Sequence, residues 1–578
     1  MRISLFSKTT QVKEFMKQQV FHETKNVSFP RWKQWKQLPS LLSKTEQRIL
    51  QTAFILAFIS LFILVGGYLF THGSPSPVFG GTYTEGLIGA PQLINPLYAI
   101  SDVDQDLSKL IYTGLFRWDP ENGIIPDIAL SYTVSEDKKN YYIDLRSDVF
   151  WHHGSQVQAK DIILTFKLLQ DPAYQSPFFS RYQGIKVEEI NPYQIVFTLE
   201  KPSNNFLSLL TIGLLPADLW QSIPAQNAVL TSLNREPIGN GPFKFEKLEM
   251  DKRGVVRSYE LSAYQEFHRG SPLIKQIHFK FYPNEKTAEE AVKNKHIQGL
   301  GFVSPEFVSL FEKEGMKFYY PQTSRFTTLF FNTQKHPALQ NKEIRKWLAR
   351  SIKSQSLIPP DQSPIMMPIF YPFFPEITEK IEISSIVSNS EDQNLATLLE
   401  AAKIQSPLAL TLVTVDEPEF RFMAETLKQQ WGNLGISLTI QFAPPASFED
   451  DILRTRTYDL LLVNIEMGKD GAPFIFWHSS QIAYPGLNFS QWKNEDIDPL
   501  LQQWEETQDK TQQTSLAQSM ETILEEEVPA IFLVRFTYPY TITKRIKNVF
   551  LPQIHIPSDR FSRIETWYMN TQKKINLF

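Results

Sequence analysis

The sequence predicts an α/β protein that follows an N-terminal transmembrane helix. The α/β class is indicated by a strand–helix–strand pattern between residues 408 and 466, where apolar runs flank an amphipathic stretch. The transmembrane helix is indicated by an uninterrupted apolar run at 49–70. With 578 residues, the chain is long enough for two or three domains.

The apolar run at 49–70 has the length of a membrane span. As a helix it would extend roughly 33 Å, which matches a hydrocarbon core of about 30 Å. Residues 1–48 carry ten Lys and Arg against three Asp and Glu, so the positive-inside rule places them in the cytoplasm. We therefore expect a cytoplasmic basic segment (1–48), an anchor helix (49–71), a linker (72–78) and an extracytoplasmic remainder in a single-pass protein of the cell membrane.

Other interpretations of the N-terminal region stay open at this stage. The apolar run could instead be a buried core helix, or a signal peptide that is cleaved. The basic and aromatic stretch at 29–38 could lie along the anionic inner leaflet, or it could be a plain stop-transfer flank.

Composition excludes several classes of function. The chain contains no cysteine, which rules out disulfides, thiolate metal sites, cysteine nucleophiles and an acylated cysteine anchor. The net charge of −4 is nearly balanced, and we expect no nucleic-acid partner because that would need a concentrated basic surface.

The outer region has the periodicities of strands and helices. Strands are predicted at 141–145 and 194–199, and a helix at 159–169 with its apolar residues on one face. The clearest pattern predicts a βαβ unit and a third strand, made of a strand at 408–415, a helix at 420–435 that stops at Gly435, and strands at 436–442 and 458–466.

Four motifs follow one another along residues 79–550. They lie at 114–166, at 237–245 (PIGNGPFKF), at 331–352 (FNTQKHPALQNKEIRKWLARSI) and at the end of the second half, where ILEEEVPAIFLV covers 523–534. In this order they resemble family 5 of the extracellular solute-binding proteins, the dipeptide- and oligopeptide-binding components of ABC importers. The sequence departs from the family's P-x-G-T-G-P-Y turn, with Asn240 in place of Thr and Phe243 in place of Tyr.

The resemblance implies a two-lobed clamshell of the periplasmic-binding-protein type (type II, with an extra subdomain in lobe I). Two strands that cross between the lobes would act as the hinge, and the ligand would be enclosed when the lobes close. On this basis lobe I comprises 79–330 with a return at 536–578, and lobe II comprises 331–535.

The loop at 467–480 is the first candidate for ligand contacts. In an open α/β sheet the ligand lies outside the carboxyl ends of the strands, and the predicted strand 458–466 leads into this loop. The family's peptide binders use an aspartate there to pair with the ligand's amine, which makes Asp470 a candidate. Asp470 stands three residues before Pro473 instead of the usual four, so a solvent-facing turn residue is the alternative.

Aromatic side chains supply the other candidates. Phe474 and Trp477 could form a wall of the cleft, and core packing is the alternative for both. Tyr112 and Asn332 are further candidates because the resemblance places them near the hinge.

Neither metal chemistry nor catalysis is expected. The resemblance assigns His152-His153 to a structural turn, and the other histidines show no ligand spacing. The sequence has neither a Gly-x-Ser-x-Gly elbow nor a phosphate-binding loop. We expect no cofactor and no enzyme activity, so that a separate ATPase would supply the energy for transport.

The expected function is that of a membrane-anchored substrate-binding protein of an ABC transporter. It would bind a peptide or another small extended solute and deliver it to a permease with its ATPase subunits. The alternative is a membrane-anchored sensor or scaffold that uses the same fold without import.

Overall fold

The computed structural model describes residues 42–72, 74–363, 365–369, 395–468, 473–507 and 509–574. The chain divides into a small unit, Met1–Pro77 with Thr571–Phe578, and a large unit, Val78–Asn570. The helices are α1 (Lys44–His72), α2 (Asp102–Ile111), α3 (Ala159–Leu169), α4 (Phe179–Tyr182), α5 (Phe206–Leu209), α6 (Ala217–Trp220), α7 (Glu285–Lys293), α8 (Pro305–Lys313), α9 (Pro337–Gln340), α10 (Lys342–Ser351), α11 (Leu395–Ala401), α12 (Pro418–Gly432), α13 (Pro473–Trp477), α14 (Ile497–Glu506) and α15 (Lys510–Glu527).

The small unit contains the helix that the apolar run predicts. α1 covers the whole predicted span, and its stretch Lys44–Leu64 is long and apolar enough to cross a membrane while none of it is buried in the protein. A core helix would bury one face, so the structure argues against the core-helix interpretation. The predicted linker forms strand β1 (Ser74–Val78), which pairs with β21 (Asn570–Lys574).

The first lobe of the large unit is built on a seven-stranded sheet. Its order is β13-β20-β12-β2-β11-β10-β9, with β2 (Thr82–Ile88), β9 (Phe243–Met250), β10 (Val256–Ala263), β11 (Gln276–Tyr282), β12 (Gly299–Gly301), β13 (Met316–Tyr319) and β20 (Tyr540–Thr543). β2 runs parallel to β11 and β12, and β20 runs antiparallel to β12 and β13. The strands β2, β11, β12 and β13 therefore all end at the same edge of the sheet.

Two smaller sheets pack with the first lobe. A hairpin joins β3 (Phe116–Asp119) to β4 (Gly123–Pro126), and a four-stranded antiparallel sheet has the order β5-β6-β8-β7, with β5 (Ala129–Val134), β6 (Asn140–Leu145), β7 (Lys186–Asn191) and β8 (Gln194–Thr198). The predicted strands at 141–145 and 194–199 and the predicted helix at 159–169 are confirmed as β6, β8 and α3.

The second lobe is built on a six-stranded sheet. Its order is β15-β19-β14-β18-β16-β17, with β14 (Gln322–Phe331), β15 (Met366–Pro368), β16 (Ala409–Val415), β17 (Ser437–Ala443), β18 (Leu460–Glu466) and β19 (Ala530–Thr537). β16 lies parallel to both β17 and β18, as the predicted βαβ unit requires. The intervening helix α12 begins two residues before the predicted start, because Pro418 occupies its first turn.

The chain crosses between the two large sheets at two Tyr-Pro pairs. β13 is followed by Tyr320-Pro321 and then by β14, and β19 is followed by Tyr538-Pro539 and then by β20. The two crossings lie side by side, since the Tyr538 amide donates to the Pro321 carbonyl at 2.9 Å. The predicted domain limits at 330/331 and 535/536 stay a prediction; the sheets change at 320–321 and 538–539 because β14 pairs with β18 and β19 along its length.

Candidate ligand-binding cleft

The first lobe presents apolar side chains where its strands end beside the crossings. These side chains lie at or next to the ends of neighbouring strands, and we call them the apolar ledge: Tyr320, Tyr538, Phe302, Ile88 and Tyr282. Three of them expose a large share of their surface: Phe302 48%, Ile88 39% and Tyr320 36%. Burial raises the pKa of Tyr282 and of Tyr320 above the usual tyrosine value, so both hydroxyls stay neutral at physiological pH.

The second lobe presents polar side chains at its own edge beside the crossings. β18 ends there, β14 begins there, and α12 starts just after the end of β16. These elements place five side chains together, which we call the polar cluster: Arg325, Thr327, Glu419, Asn464 and Glu466.

Hydrogen bonds order the polar cluster from within. The Thr327 hydroxyl donates to Asn464 Oδ1 at 2.7 Å, and Asn464 Nδ2 donates to Glu419 Oε1 at 3.3 Å. The Thr327 bond fixes the amide of Asn464, which in turn positions the Glu419 carboxylate.

The charged groups of the cluster remain accessible. Arg325 is 49% exposed, its guanidinium lies 4.6 Å from the centre of the Phe536 ring, and its Nη2 is 3.9 Å from Glu419 Oε1. Glu466 is exposed directly opposite Arg325 on the paired strand, and its carboxylate forms no ion pair with another described residue. The cluster therefore offers a positive charge at Arg325 for a negative group and a negative charge at Glu466 for a positive group.

Asp470 lies outside the described residues, so its expected role stays a prediction. Trp477 ends helix α13 with its side chain fully buried and its ring 6.2 Å from that of Phe330. This placement favours core packing over a cleft wall for Trp477. Phe474 is half-buried, with its ring stacked on His478 at 4.2 Å, and it stays a candidate.

Asn332 is remote from the crossings. It follows the last residue of β14, and a ten-residue strand is about 33 Å long, so Asn332 lies at the far end from Tyr320. Its side chain is fully buried and donates to the carbonyls of Tyr458 at 3.0 Å and Arg456 at 3.3 Å. This corrects the expectation that Asn332 lies near the hinge: it ties the end of β14 to the start of β18.

Tyr112 terminates helix α2 inside the first lobe. Its side chain is 3% exposed, and burial raises the pKa of its hydroxyl far above the usual value. The hydroxyl has no hydrogen-bond partner among the described residues. Its role in binding stays a prediction.

The loop that carries the PIGNGPF motif packs against the end of helix α2. A Cβ added at Gly239 would lie 1.9 Å from the Ile111 carbonyl oxygen, and one at Gly241 would lie 2.5 Å from that of Leu110. Asn240 Oδ1 also accepts a hydrogen bond from the Thr113 amide at 2.8 Å. The motif thus requires glycine because this loop contacts the end of α2 directly.

The histidines near residue 152 have structural partners. His152 contacts the glycine loop through both ring nitrogens, and burial lowers its pKa to about 4. His153 Nε2 lies 2.9 Å from both Ser155 Oγ and Asp218 Oδ2. A nucleophile and an orienting acid would have to contact different ring nitrogens, so these three residues are not a catalytic triad. Within the described ranges no group of three acidic or histidine side chains could hold a metal.

The sequence alone does not indicate that Phe302, Arg325 or Glu466 are site residues. Phe302 follows a strand of only three residues, too short to show a period. Arg325 and Glu466 become neighbours only through the pairing of β14 with β18, which no local pattern reports. The rule that ligands lie at the carboxyl ends of strands is the signal that could have drawn attention to Glu466.

Comparisons with known proteins agree with the fold. The model for the bacterial extracellular solute-binding proteins, family 5, middle region, matches residues 123–481, more than half of the 578 residues. The oligopeptide-binding protein AppA of Bacillus subtilis (strain 168) is 22% identical over 514 residues, which cover 85% of this chain and 92% of that protein. The dipeptide-binding protein of Escherichia coli (strain K12) is 20% identical over 509 residues, covering 80% and 90%.

A solved structure shows the same two-lobed architecture. The ABC transporter substrate-binding protein CtaP of Listeria monocytogenes superimposes with a TM-score of 0.68 at 20% identity, covering 85% of this chain and 99% of that one. Together with the two crossings and the four motifs in order, the family match leads to one conclusion. The chain belongs to family 5 of the bacterial extracellular solute-binding proteins.

Proposed function

We propose that the protein is a membrane-anchored, extracytoplasmic substrate-binding protein that binds peptides or similarly extended solutes and delivers them to an ABC permease. The observation that carries the proposal is the arrangement of the large unit. Two sheets joined by the crossings at 320–321 and 538–539 present an apolar ledge on one side and a polar cluster on the other.

The family supports the general class of this function. Its members are solute-binding proteins of ABC transporters and act outside the cytoplasm, and the protein is not an enzyme. The permease and the ATPase subunits would accordingly be separate partners of this chain.

The chemistry of the cleft supports a peptide as the ligand. A peptide carries an ammonium group, a carboxylate and side chains of varied polarity. Glu466 and Arg325 provide charges for the two ionic groups, and the apolar ledge provides a surface for a side chain. The curated relatives described above are named for oligopeptides and dipeptides.

Helix α1 supports attachment to the membrane. Its apolar side chains are exposed to the surroundings, with Phe62 at 75% and Leu64 at 68%, as lipid-facing residues would be. Tethering would keep the binding lobes close to a permease in the same membrane and raise their effective concentration there.

Binding would act by shifting the population of lobe arrangements. We place the limits of the two lobes at 320–321 and 538–539, where the chain crosses from one large sheet to the other. A ligand that contacts the ledge and the polar cluster together favours the closed arrangement, because only closure allows both sets of contacts.

The test is a thermal-shift screen of the full-length protein in detergent against di- to octapeptides, with oligosaccharides and nickel chelates as comparison classes. A ligand at a hundredfold its Kd stabilises the bound fold by about 2.7 kcal/mol, which corresponds to a shift of several degrees. We expect such shifts with peptides, and loss of peptide uptake in cells that lack the protein. A screen in which no peptide shifts the melting temperature would contradict the proposal.

A further inference from the structure

Phe302 has an unusual backbone conformation for its residue type. Its φ is +49°, in the left-handed region that glycine, asparagine and aspartate favour. Of the nine non-glycine residues with positive φ in the described part of the chain, Phe302 is the only aromatic one. A bulky side chain is strained there, and strain of this kind persists at sites where the surroundings enforce it.

The surroundings of Phe302 do enforce the conformation. The next amide, that of Val303, donates to the Pro539 carbonyl in the second crossing at 3.1 Å. The Ser304 hydroxyl donates to Glu285 Oε2 at 2.6 Å. Before Phe302, a Cβ at Gly301 would come within 2.4 Å of Tyr538 Oη, so the chain passes closely over that ring.

The result is an aromatic ring held out from the sheet beside the crossings. The side chain is 48% exposed, and its ring centre lies 6.1 Å from that of Tyr538 at a tilt of 50°. The ring therefore makes a tilted contact with Tyr538, while about half of the side chain stays accessible. Ile88 on the neighbouring strand and Tyr320 at the first crossing are also exposed, so the apolar surface continues on both sides.

Packing within the fold does not require this ring. A residue that served the core would be buried, and one that served only the turn would be glycine or asparagine. Leu230 is also exposed, at 82%, but it lies in a loop of the first lobe and has an ordinary backbone conformation. Phe302 combines strain, exposure and a position at the carboxyl end of a parallel strand, where α/β folds bind their ligands.

We infer that Phe302 is a specificity-determining residue of the cleft, whose ring forms a platform for an aromatic or large aliphatic side chain of the bound peptide. The inference rests on the proposed function, since it names the kind of peptide that the site prefers. An aromatic ring offers a large apolar contact surface and loses little conformational freedom on binding, the more so when its backbone is already fixed. Peptides that lack such a side chain would leave the ring in water and bind more weakly.

The test compares the full-length wild type with Phe302→Gly by titration calorimetry. The probes are tetra-alanine, tetra-alanine with one Phe at each position in turn, and the same set with Lys. We expect the best Phe-containing peptide to bind the wild type about tenfold more tightly than tetra-alanine. In Phe302→Gly this preference should fall to about twofold or less, because the apolar surface that distinguishes Phe from Ala is removed.

Stability measurements separate binding from folding. Glycine adopts a positive φ freely, so Phe302→Gly should melt at the same temperature as the wild type or higher. Phe302→Asn also tolerates the left-handed backbone and serves as a second variant without the ring. Leu230→Gly is the matched control that removes an exposed apolar side chain elsewhere, and it should keep the preference for Phe.

The outcomes distinguish the two proposals. A wild type that binds tetra-alanine and the Phe peptides equally, or a Phe302→Gly variant that weakens all peptides alike, would overturn the inference about Phe302 while peptide binding stands. A wild type that binds none of the probes would overturn the proposed function and the inference together.

Discussion

At the scale of single residues, Arg560 joins distant parts of the first lobe. Its side chain is fully buried and contacts Glu85 on β2 at 2.8 Å and Asp106 on α2 at 2.5 Å. Tyr540, the first residue of β20, donates its hydroxyl to Glu85 at 2.9 Å. One guanidinium thus faces two buried carboxylates. With both carboxylates ionised, the three side chains together carry an excess negative charge, which is unfavourable in the protein interior.

This excess charge predicts a pH dependence of stability. Burial raises the pKa of Asp106 to about 7, despite the opposing effect of Arg560. A carboxyl group with a higher pKa in the folded chain than in the unfolded chain stabilises the fold at low pH, and it loses this contribution as the pH rises from about 4 to about 7. In Asp106→Asn the group cannot ionise, so this loss should disappear.

The measurement is urea unfolding of the wild type and Asp106→Asn at pH 5 and pH 8. The stability of the variant relative to the wild type should increase by about 2–3 kcal/mol between the two pH values. Asp148→Asn, which changes an exposed carboxylate in a surface ion pair with Arg146, is the control and should show no comparable change. Parallel pH curves for the wild type and Asp106→Asn would contradict the interpretation.

At the scale of elements, the glycine loop and helix α2 form one packed unit. Gly239 and Gly241 allow the loop to contact the last carbonyls of α2, and the loop amide of Gly241 donates to the Ile111 carbonyl at 2.7 Å. The contact holds the end of α2, where Tyr112 begins the chain segment that leads to β3.

Gly239→Ala should therefore destabilise the first lobe. The added Cβ would lie 1.9 Å from a backbone oxygen, which cannot move without shifting α2. We expect a loss of about 3 kcal/mol or more in the free energy of unfolding, measured by urea denaturation. Gly432→Ala is the matched control, since a Cβ at that position meets no atom within 4 Å. Equal stabilities of the two variants would show that the loop yields more easily than its contacts indicate.

Elements defined by local periodicity were predictable, and those defined by pairing were not. Helix α3 matches its predicted range because its apolar residues recur on one face, and β16, α12, β17 and β18 follow from strong local patterns. The two crossings differ, because Tyr320-Pro321 becomes a crossing only when β13 and β14 join different sheets. The polar cluster was not predictable for the same reason: Arg325 and Glu466 stand 141 positions apart in sequence and become neighbours only when β14 pairs with β18.

At the scale of the whole large unit, the lobes also touch away from the crossings. Asn204, in a loop that follows β8, donates its backbone amide to the Glu505 carbonyl at 2.8 Å and its side-chain amide to the Trp504 carbonyl at 2.6 Å. These carbonyls lie in the last turn of helix α14 of the second lobe. A movement of the lobes about the crossings would have to accommodate this contact.

On the proposed function, the two lobes move about the crossings when a peptide binds. Because the chain contains no cysteine, a pair of introduced cysteines can be spin-labelled without background. Lys286→Cys on α7 and Glu425→Cys on α12 place the labels on exposed positions in different lobes, and Lys252→Cys with Lys286→Cys places both in the first lobe. The distances are measured by double electron–electron resonance on the full-length protein, with and without a peptide that raises its melting temperature. If the lobes close on the ligand, the peptide shortens the distance between 286 and 425 and leaves that between 252 and 286 unchanged. A bound peptide that changes neither distance would show that the lobes do not move about the crossings.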